Sequence, residues 1–475
     1  MTRKKDNNVS LDTTKSGAEE TQEKLSRREF AKTSVAAGAA AAVAIPGVLQ
    51  AAQQSTDGGS AASISTQKSS AGSVEHQDGM TIPGEYYYEM EHYLKDEAYI
   101  AENWWLMADH ISRIPESGDF FVFKFGLGES AIVVRNESGE INAFHNVCRH
   151  RGSRLCRHDE DPRIDDKRLS VRQSGESGNA QVFRCPYHAW LYDLDGNLID
   201  AYAMKDDFEM AANSLVKCHM RIESGHIFLN FSRAEEPPPF DDPNTYGFER
   251  ISQNYDMAGL KVGTRKSYQM KANWKLGLEN FMECYHCEAS HDSLTATHNW
   301  DYTLEGGRRE RWAERVAEWI GPKEAANRGQ GFPYDGELNP GFLTGSVEDG
   351  KRLAPLLPGK TEWSHDTDIA IKWFDTAYWQ TYDDHIAVAR FTPRGPELTD
   401  VEIFWLVHPD AVAGKDFDEE ELRELWDVTI IEDAWIVENN HLGIKSRGYR
   451  LGHYSNWENG PSEFITWYMK EIVNG

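Results

Sequence analysis

Two short motifs place two cysteines and two histidines where a single metal cluster could bind them. Cys148-Arg149-His150 and Cys185-Pro186-Tyr187-His188 each join one thiol to one imidazole, and each follows a run of residues typical of a β-strand. Two thiolates on one iron and two imidazoles on the other are the ligands of a [2Fe–2S] cluster with a raised reduction potential. Structural zinc uses the same side chains, but Cys-x-x-Cys pairs dominate there. The motifs therefore predict an iron–sulfur cluster held by Cys148, His150, Cys185 and His188.

A second set of candidate ligands lies in the stretch Glu279-Asn280-Phe281-Met282-Glu283-Cys284-Tyr285-His286, with His291 five residues further on. His286 and His291 are a candidate imidazole pair for a mononuclear iron, in which two His and one carboxylate leave three positions open for O₂ and substrate. Because five residues of an ideal helix leave a net rotation of about 140°, we expect the helix to bend or end between these histidines. The carboxylate ligand must come from elsewhere in the chain.

The remaining cysteines do not form an obvious site. Six cysteines in 475 residues are too few for a disulfide framework. Cys284-x-x-Cys287 could be a zinc or redox pair, but no second Cys pair is left to complete a zinc site. We expect Cys284 and Cys287, and likewise Cys156 and Cys218, to be small buried side chains.

The elements that position these motifs change character along the chain. The first group consists of β-rich runs separated by turns that contain glycine, at Phe120–Phe125, Ala131–Arg135, Ile141–Phe144, Gln181–Arg184, Ala189–Leu194 and Gly225–Phe231. An aromatic helical segment, Tyr86–Met107, precedes them. These runs predict a small antiparallel β domain. After Pro237-Pro238-Pro239, helical patterns mix with strand patterns, which predicts an α+β domain; the helices are Leu276–Cys287, Arg308–Ile320 and Glu419–Asn439, and the strands are Ala387–Phe391 and Val401–His408.

A chain of 475 residues suits two or three domains. We predict a signal region at 1–52 and a disordered Ser/Gln/Gly-rich linker at 53–84. An N-terminal segment with the cluster-binding β domain follows at 85–235, and the mononuclear iron domain occupies 236–475.

The signal region begins with Ser26-Arg27-Arg28-Glu29-Phe30-Ala31-Lys32, followed by an uncharged stretch from Thr33 to Thr56. This layout is typical of a twin-arginine export signal and predicts a periplasmic protein. The uncharged stretch is about long enough to span a bilayer, so an uncleaved membrane anchor stays open. Gly38 and Pro46 make it a poor spanning helix, and export with cleavage is favoured.

The charge balance excludes some partners. There are 77 acidic and 50 basic side chains, a net charge of −27. Such an acidic chain is unsuited to nucleic acid or to an anionic membrane surface.

The two cluster motifs resemble the two halves of the Rieske domain in the α subunits of ring-hydroxylating oxygenases. The resemblance rests on Phe144-His145-Asn146-Val147-Cys148-Arg149-His150-Arg151-Gly152 and on Cys185-Pro186-Tyr187-His188-Ala189-Trp190. The interval between them is longer than is usual in the family, and its excess, residues 159–180, is polar and charged. We expect this excess to form a surface loop, because lengthening a loop costs little free energy.

The later segments carry the same resemblance. Asn273-Trp274-Lys275 and the stretch 279–291 are similar to the N-W-K…E-N…E-x-Y-H-x₄-H pattern of Rieske oxygenases, and residues 432–438 are similar to the segment that supplies their carboxylate ligand. The resemblance implies that Asp433 completes the mononuclear iron site with His286 and His291. Asn280 is placed with the catalytic residues on the same match.

By resemblance, Glu283 is not an iron ligand. It is the acidic bridge from a Rieske His of one subunit to a mononuclear-site His of its neighbour. A carboxylate that accepts a hydrogen bond from an imidazole N–H fixes the tautomer of the ring and couples the two metals. Such a bridge requires contact between subunits, and the resemblance implies a homotrimer. It also implies the fold class α+β, a Rieske β domain followed by a catalytic domain with helices on an antiparallel sheet, of the helix-grip type.

The resemblance extends over residues 84–475 and is closest to the branch of glycine betaine, carnitine and choline monooxygenases. The segments 145–156, 280–287 and 405–412 carry it. It implies the oxygenase component of a Rieske non-haem iron oxygenase, which binds a [2Fe–2S] cluster and Fe(II) and uses O₂ and external electrons to hydroxylate a small organic substrate. Hydroxylation of a methyl group next to nitrogen gives an unstable carbinolamine, so N-demethylation of glycine betaine is expected. A quaternary ammonium needs an aromatic cage, and 12 of the 15 Trp lie from Trp274 onward.

Two alternatives stay open. One is an aromatic ring-hydroxylating dioxygenase, which is the other outcome of the family chemistry. The other, of a different class, is a Rieske protein that only transfers electrons, although the long chain after Pro239 with its own candidate iron site argues against it.

No Gly-rich dinucleotide fingerprint occurs in the sequence, so the electrons are expected from a separate donor. A reductase is the usual partner in the family. If the protein is exported, a cytochrome or a quinone-linked carrier is expected in its place.

Overall fold

The computed structural model describes residues 74–157, 173–240, 246–299, 335–347, 350–364, 366–372 and 376–475. Its α-helices are α1 Glu85–Tyr88, α2 Met90–Asn103, α3 Tyr246–Asn254, α4 Trp274–Phe281, α5 Cys287–Ser290, α6 Asp292–Thr297, α7 Glu419–Ile444 and α8 Asn459–Tyr468. Short 3₁₀ turns lie at Ile111–Arg113, Met210–Asn213 and Met257–Gly259, and a π-helical turn at Met469–Val473.

The first ten strands belong to the N-terminal half and the other seven to the C-terminal half. The first ten are β1 Leu106–His110, β2 Asp119–Phe125, β3 Glu129–Arg135, β4 Ile141–His145, β5 Ser177–Asn179, β6 Phe183–Arg184, β7 Leu191–Tyr192, β8 Leu198–Asp200, β9 His219–Glu223 and β10 His226–Asn230. The others are β11 Lys261–Met270, β12 His298–Asn299, β13 Asp335–Leu338, β14 Asp366–Lys372, β15 Ala377–Thr381, β16 His385–Gly395 and β17 Leu398–Val407.

Three small antiparallel sheets form the N-terminal half, with strand orders β4-β3-β2-β5, β6-β7-β8 and β1-β10-β9. Side chains alternate between the two faces of a strand, and β2 uses both faces. Phe121, Phe123 and Phe125 pack into the large core of the molecule, whereas Phe120 and Val122 pack beside the two candidate cluster cysteines. Strand β2 therefore separates the cluster loops from the main core.

One antiparallel sheet of seven strands, in the order β11-β17-β16-β15-β14-β13-β12, dominates the C-terminal half. Ala387, Ala389 and Phe391 of β16 share a core with buried residues of α7, while Ile386 and Val388 pack into a separate core on the opposite face. A long helix thus lies on one face of an antiparallel sheet. The prediction of an α+β protein, with a β domain followed by a domain of helices on an antiparallel sheet, is confirmed.

The N-terminus of α7 is stabilised by its own sequence. The Asp418 carboxylate accepts hydrogen bonds from the backbone N–H groups of Glu420 and Glu421, at 2.8 and 3.1 Å. Acidic residues at Glu419, Glu420 and Glu421 also face the positive end of the helix dipole. This helix carries Asp433 on its buried side.

The predicted helix Leu276–Cys287 is shorter than expected. Helix α4 ends at Phe281, and His286 follows in a turn before the short helix α5. His291, with φ −129° and ψ 80°, separates α5 from α6. The interruption expected between the two histidines therefore lies at His291 itself, and a further break, between α4 and α5, precedes it.

Other sequence predictions differ in detail from the structure. The predicted helical segment Tyr86–Met107 is two helices, α1 and α2, followed by the beginning of β1. The end of the predicted surface loop 159–180 is an exposed edge strand, β5, which pairs with β2. The predicted helix Arg308–Ile320, the signal region and residues 158–172 lie outside the described residues. Within the described ranges, no helix combines the length and apolar character needed to cross a membrane.

Candidate metal centres

The two candidate cluster loops have the same backbone geometry. In each loop the Cys N–H donates to the carbonyl five residues on, and the Cys carbonyl accepts from the N–H four residues on, at 2.8 to 3.1 Å. That fourth residue is left-handed in both loops, with φ +75° at Gly152 and +63° at Ala189. Because a side chain at such a φ is strained, the conformation of Ala189 must be held by the loop hydrogen bonds. The repeated geometry presents Cys148 and Cys185 in the same way.

The four predicted cluster ligands converge. The thiols of Cys148 and Cys185 lie in the core under β2, and Nδ1 of His150 lies 3.1 Å from Nδ1 of His188 toward the surface. Burial raises the pKa of the Cys148 thiol, and a hydrogen bond with Tyr192 at 3.3 Å opposes this effect. Two sulfurs on the buried side and two ring nitrogens on the exposed side fit a [2Fe–2S] cluster with mixed ligands.

The three predicted ligands of the mononuclear iron also converge. Oδ1 of Asp433 lies 3.3 Å from Nε2 of His286 and 3.0 Å from Nε2 of His291. Ligand atoms of His286, His291 and Cys287 lie within 4.8 Å of one another, which makes Cys287 a competing third ligand. Its sulfur is bonded to Cys284 and lies 4.0 Å from His286 Nε2. Asp433 is therefore the better third ligand.

A carboxylate holds the second ring nitrogen of each histidine. Nδ1 of His286 lies 2.5 Å from Oε1 of Glu283, and Nδ1 of His291 lies 2.9 Å from Oε2 of Glu432. These contacts direct both Nε2 atoms toward Asp433, as the outer partners of metal-binding histidines do.

The electrostatics of this site favour a cation. Burial lowers the pKa of His286, but hydrogen bonds with Asp433 and Glu283 outweigh it and raise the pKa to about 9. The pKa of His291 is raised in the same way. A bound metal ion would take the place of these protons, because histidine binds a metal as the neutral ring. The donor set of two imidazoles and one carboxylate fits a mononuclear iron.

Asn280 and the cysteine pair complete the surroundings of His286. Nδ2 of Asn280 lies 3.3 Å from Nε2 of His286, and the Asn280 Oδ1 is buried without a hydrogen-bond partner among the described residues. The structure joins Cys284 and Cys287 in a disulfide, with Cα atoms 5.0 Å apart. The prediction that these two cysteines are merely small buried side chains is therefore wrong.

Sequence reasoning missed two residues of the metal centres. Glu432, the partner of His291, could have been suspected only because it precedes Asp433. Tyr192 contacts the Cys148 sulfur, and its hydroxyl also accepts from the N–H of Arg149 at 3.1 Å. No pattern in the sequence marks this tyrosine.

An aromatic group lies between α7 and the sheet, close to the iron ligands. Trp426 is seven residues, about two turns, before Asp433 on the buried side of α7. Its ring centroid is 5.5 Å from that of Tyr378, and its Nε1–H donates to the Tyr382 hydroxyl at 3.1 Å. Tyr378 also contacts Phe281, at 5.5 Å, next to Asn280. These rings could surround a cationic ligand beside the iron site.

A cavity of about 330 Å³ borders His286 and is also lined by Glu283 and Glu279. Tyr87 and Tyr454 donate hydroxyl hydrogen bonds to Glu279 at 2.9 and 2.7 Å. Burial raises the pKa of Glu279 to about 7, although both hydroxyls act to lower it. This carboxyl therefore keeps its proton to a higher pH than an exposed glutamate does.

Comparison with known protein families identifies both halves of the chain. Residues 104–219 match the Rieske [2Fe-2S] domain, and residues 257–473 match the ring hydroxylating alpha subunit (catalytic domain). The matches establish a Rieske cluster and a mononuclear iron as the cofactors of this protein. The second match also excludes a Rieske protein that only transfers electrons.

Individual relatives point to one branch. The chain is 33% identical to the glycine betaine monooxygenase oxygenase subunit of Pseudomonas aeruginosa (strain UCBPP-PA14), over 86% of this chain and 93% of the relative. It is 28% identical to the carnitine monooxygenase oxygenase subunit of Escherichia coli (strain K12), over 48% of this chain and 58% of the relative. The crystal structure of the quaternary ammonium Rieske monooxygenase CntA with L-carnitine has the same fold, with a TM-score of 0.60, 22% identity, and coverage of 83% of this chain and 96% of that one.

The comparisons correct the predicted location. Export by the twin-arginine route, to the periplasm or to a membrane anchor, is contradicted. The relatives reported above are glycine betaine, carnitine and quaternary ammonium monooxygenases, and none of their names describes an exported protein. The Arg27-Arg28 motif precedes both matched domains and lies outside the described residues.

Two convergent metal centres, two matched domains and a relative similar over most of both chains agree. The chain belongs to the Rieske non-haem iron oxygenase α subunits, in the branch of the glycine betaine and carnitine monooxygenases.

Proposed function

We propose that this Rieske oxygenase removes one methyl group from glycine betaine or from a betaine of similar size. The protein acts on quaternary ammonium compounds, and monooxygenation is favoured over dioxygenation. The observation that carries the proposal is the set of buried rings Trp426, Tyr378 and Tyr382 beside the candidate iron ligands. A quaternary ammonium cannot donate hydrogen bonds, so ring faces are its best binding partners.

We assign the cofactors to the residues that converge on each site. Cys148, Cys185, His150 and His188 would hold the [2Fe–2S] cluster, and His286, His291 and Asp433 would hold the iron. When bound, the cluster supplies electrons singly and the iron supplies O₂ activation. We also propose the domain division expected from the sequence, in which residues 85–235 hold the cluster and residues 236–475 hold the iron.

The chain's own residues orient the reaction. Glu283 and Glu432 hold the Nδ1 atoms of His286 and His291, so that both rings face Asp433. The aromatic group holds the trimethylammonium with one methyl group toward that site. The overall reaction is R₃N⁺–CH₃ + O₂ + 2e⁻ + 2H⁺ → R₃N⁺–CH₂OH + H₂O. The carbinolamine then loses formaldehyde and a proton and leaves a tertiary amine.

We further propose a homotrimer and a soluble reductase as the electron donor. The protein requires a separate electron donor. In the chain itself, Glu283 bonds to His286 and to the N–H of Tyr285. A cluster histidine of a neighbouring subunit is the expected further partner of Glu283, by resemblance to the family. The exported cytochrome or quinone-linked donor no longer applies, since the predicted export is contradicted.

The experiment uses the purified full chain with its cluster and iron, supplied with electrons by a reductase. Glycine betaine should stimulate O₂ uptake and release one formaldehyde for each O₂ consumed, and naphthalene should do neither. Uptake of O₂ that depends on the arene, with no formaldehyde from glycine betaine, would overturn the proposed substrate and support a dioxygenase.

A further inference from the structure

Ala387 has the small side chain of a methyl group and lies on the sheet face that packs against α7. On β15 it pairs with Gln380, and on β17 it pairs with Trp405. Directly opposed residues of antiparallel strands point to the same face, so Gln380, Ala387 and Trp405 form one row across three strands. His385 precedes Ala387 by two residues on β16 and points to the same face. Three long polar side chains therefore surround one methyl group.

Each of these three side chains has a buried nitrogen that lacks a partner among the described residues. Nε2 of Gln380, Nε2 of His385 and Nε1 of Trp405 have no hydrogen-bond partner in the described part of the chain, and all three residues are 0% exposed. A buried donor without a partner is destabilising, because it loses its hydrogen bond to water and gains none in the protein. Two such donors, on Gln380 and Trp405, beside the unpartnered Nε2 of His385 are unlike ordinary core packing, and among the described residues nothing accepts from them.

The other polar atoms of these side chains are engaged, which fixes their orientation. The Tyr378 hydroxyl donates to Oε1 of Gln380 at 2.9 Å, so the amide NH₂ is the free end. Nδ1 of His385 lies 2.8 Å from Oδ1 of Asp384. The amide of Gln380 and the indole of Trp405 are donors at any pH, whereas Nε2 of His385 donates only when its ring is protonated. Gln380 and Trp405 therefore carry the argument.

The group that fits is an acceptor without donors, and a carboxylate is such a group. The aromatic group suited to a trimethylammonium lies directly beside this row: Tyr378 and Tyr382 flank Gln380 in sequence, and Trp426 contacts both tyrosines. A cation site and an acceptor site side by side match a zwitterion that carries both charges a few atoms apart.

We propose that Gln380 and Trp405, with His385, form the subsite that holds the carboxylate of a betaine substrate. The proposal rests on the proposed function, since it assumes that the neighbouring rings hold the trimethylammonium. The subsite makes the protein select zwitterionic betaines over quaternary ammonium alcohols.

Glycine betaine and choline test this selectivity, because they share the trimethylammonium and differ at the carboxylate or hydroxymethyl end. Binding of each to the purified full chain is measured by calorimetry. Gln380→Leu and Trp405→Phe each remove a donor and should weaken glycine betaine binding by about tenfold or more, with choline binding changed less than about twofold. Gln380→Glu places a negative charge at the subsite and should reverse the preference toward choline.

Trp379→Phe is the matched control. It removes an indole N–H from the same sheet, but this one donates to His226 at 3.1 Å on the opposite face. It should leave the ratio of the two affinities unchanged. The cluster absorption and circular dichroism of each variant report folding, and Trp405→Phe is conservative enough to test the subsite if the Gln380 variants do not fold.

The outcomes separate the two claims. Wild-type protein that binds glycine betaine while Gln380→Leu and Trp405→Phe weaken both ligands equally, or neither, overturns the subsite and leaves the proposed function standing. Wild-type protein that binds choline as tightly as glycine betaine also overturns the subsite. Wild-type protein that binds no trimethylammonium compound overturns the proposed function and the subsite together.

Discussion

Oδ1 of Asp433 lies 3.0 Å from Nε2 of His291, although 142 positions separate the two residues in the sequence. Burial alone would raise the pKa of Asp433, but hydrogen bonds with His286 and His291 keep it below the usual value. The carboxylate is therefore ionised within a buried site, where it can neutralise part of the charge of a metal ion.

Asp433→Ala should remove the mononuclear iron and leave the cluster. We expect the iron content to fall from about three to about two per chain, since a three-ligand facial site loses its only carboxylate. Iron analysis together with the visible spectrum of the cluster checks this. Glu424→Gln, an exposed change on the same helix, should keep all the iron. A variant that retains the third iron would exclude Asp433 as a ligand.

Cys148→Ser should abolish the [2Fe–2S] cluster, because a hydroxyl is a poor replacement for a thiolate on iron. Cys156→Ser is the matched control, since Cys156 is buried in the same core as Cys148. The visible absorption and the electron paramagnetic resonance signal of the reduced protein measure the cluster. Equal loss of signal in both variants would mean that core disruption, and not ligation, is the cause.

Glu283→Gln should slow turnover by about 10–100-fold while both metals stay bound. The neutral amide of this variant cannot hold the His286 ring as the Glu283 carboxylate does at 2.5 Å. Single-turnover oxidation of the reduced protein separates transfer between metals from reduction by the donor. We expect normal reduction of the cluster and slow reoxidation in the presence of substrate and O₂. Reoxidation at the wild-type rate would remove Glu283 from the electron path.

Trp426→Leu should raise KM for glycine betaine by about 3–30-fold, the range expected for one lost cation–π contact. The rate at saturation should change less, because Trp426 is about two turns from Asp433 on α7. Steady-state O₂ uptake over a range of substrate concentrations measures both constants. An unchanged KM would place the trimethylammonium elsewhere.

Glu279→Gln should alter the pH dependence of stability. The pKa of Glu279 is raised from 4.5 to about 7 in the folded protein, so folding favours the protonated carboxyl. The native state then binds more protons than the unfolded state between about pH 4.5 and 7, and stability falls as pH rises through that window. The variant lacks this loss and should be more stable than wild type at pH 8, by roughly 3 kcal/mol, since each unit of pKa difference is worth about 1.4 kcal/mol.

Urea unfolding at pH 5 and pH 8 measures the difference between Glu279→Gln and wild type. The two proteins should be similar at pH 5, and the advantage of the variant should appear at pH 8. Glu424→Gln should show no pH-dependent difference from wild type. An advantage that is the same at both pH values would be unrelated to protonation of Glu279.

The candidate metal sites and the predicted export signal differ in how well local sequence predicts them. The candidate metal ligands other than Asp433 could be proposed from local spacing, because each candidate histidine lies within five residues of another candidate ligand. Asp433 could be named only by resemblance to the family. The predicted export is wrong for the converse reason. A seven-residue pattern such as Ser26–Lys32 is an address that a receptor must read, and no packing or coordination constraint supports it.

Local sequence by itself determined the two metal-binding motifs, the alternation of β2 and the acidic cap of α7, because each depends on residues a few positions apart. Only the tertiary structure decided which carboxylate lies against His291, and that Gln380 and Trp405 share a row around Ala387. These relationships depend on the position of α7 on the sheet and on the register of three strands. Packing of distant segments sets all of them, and the spacing of residues along one segment carries no record of it.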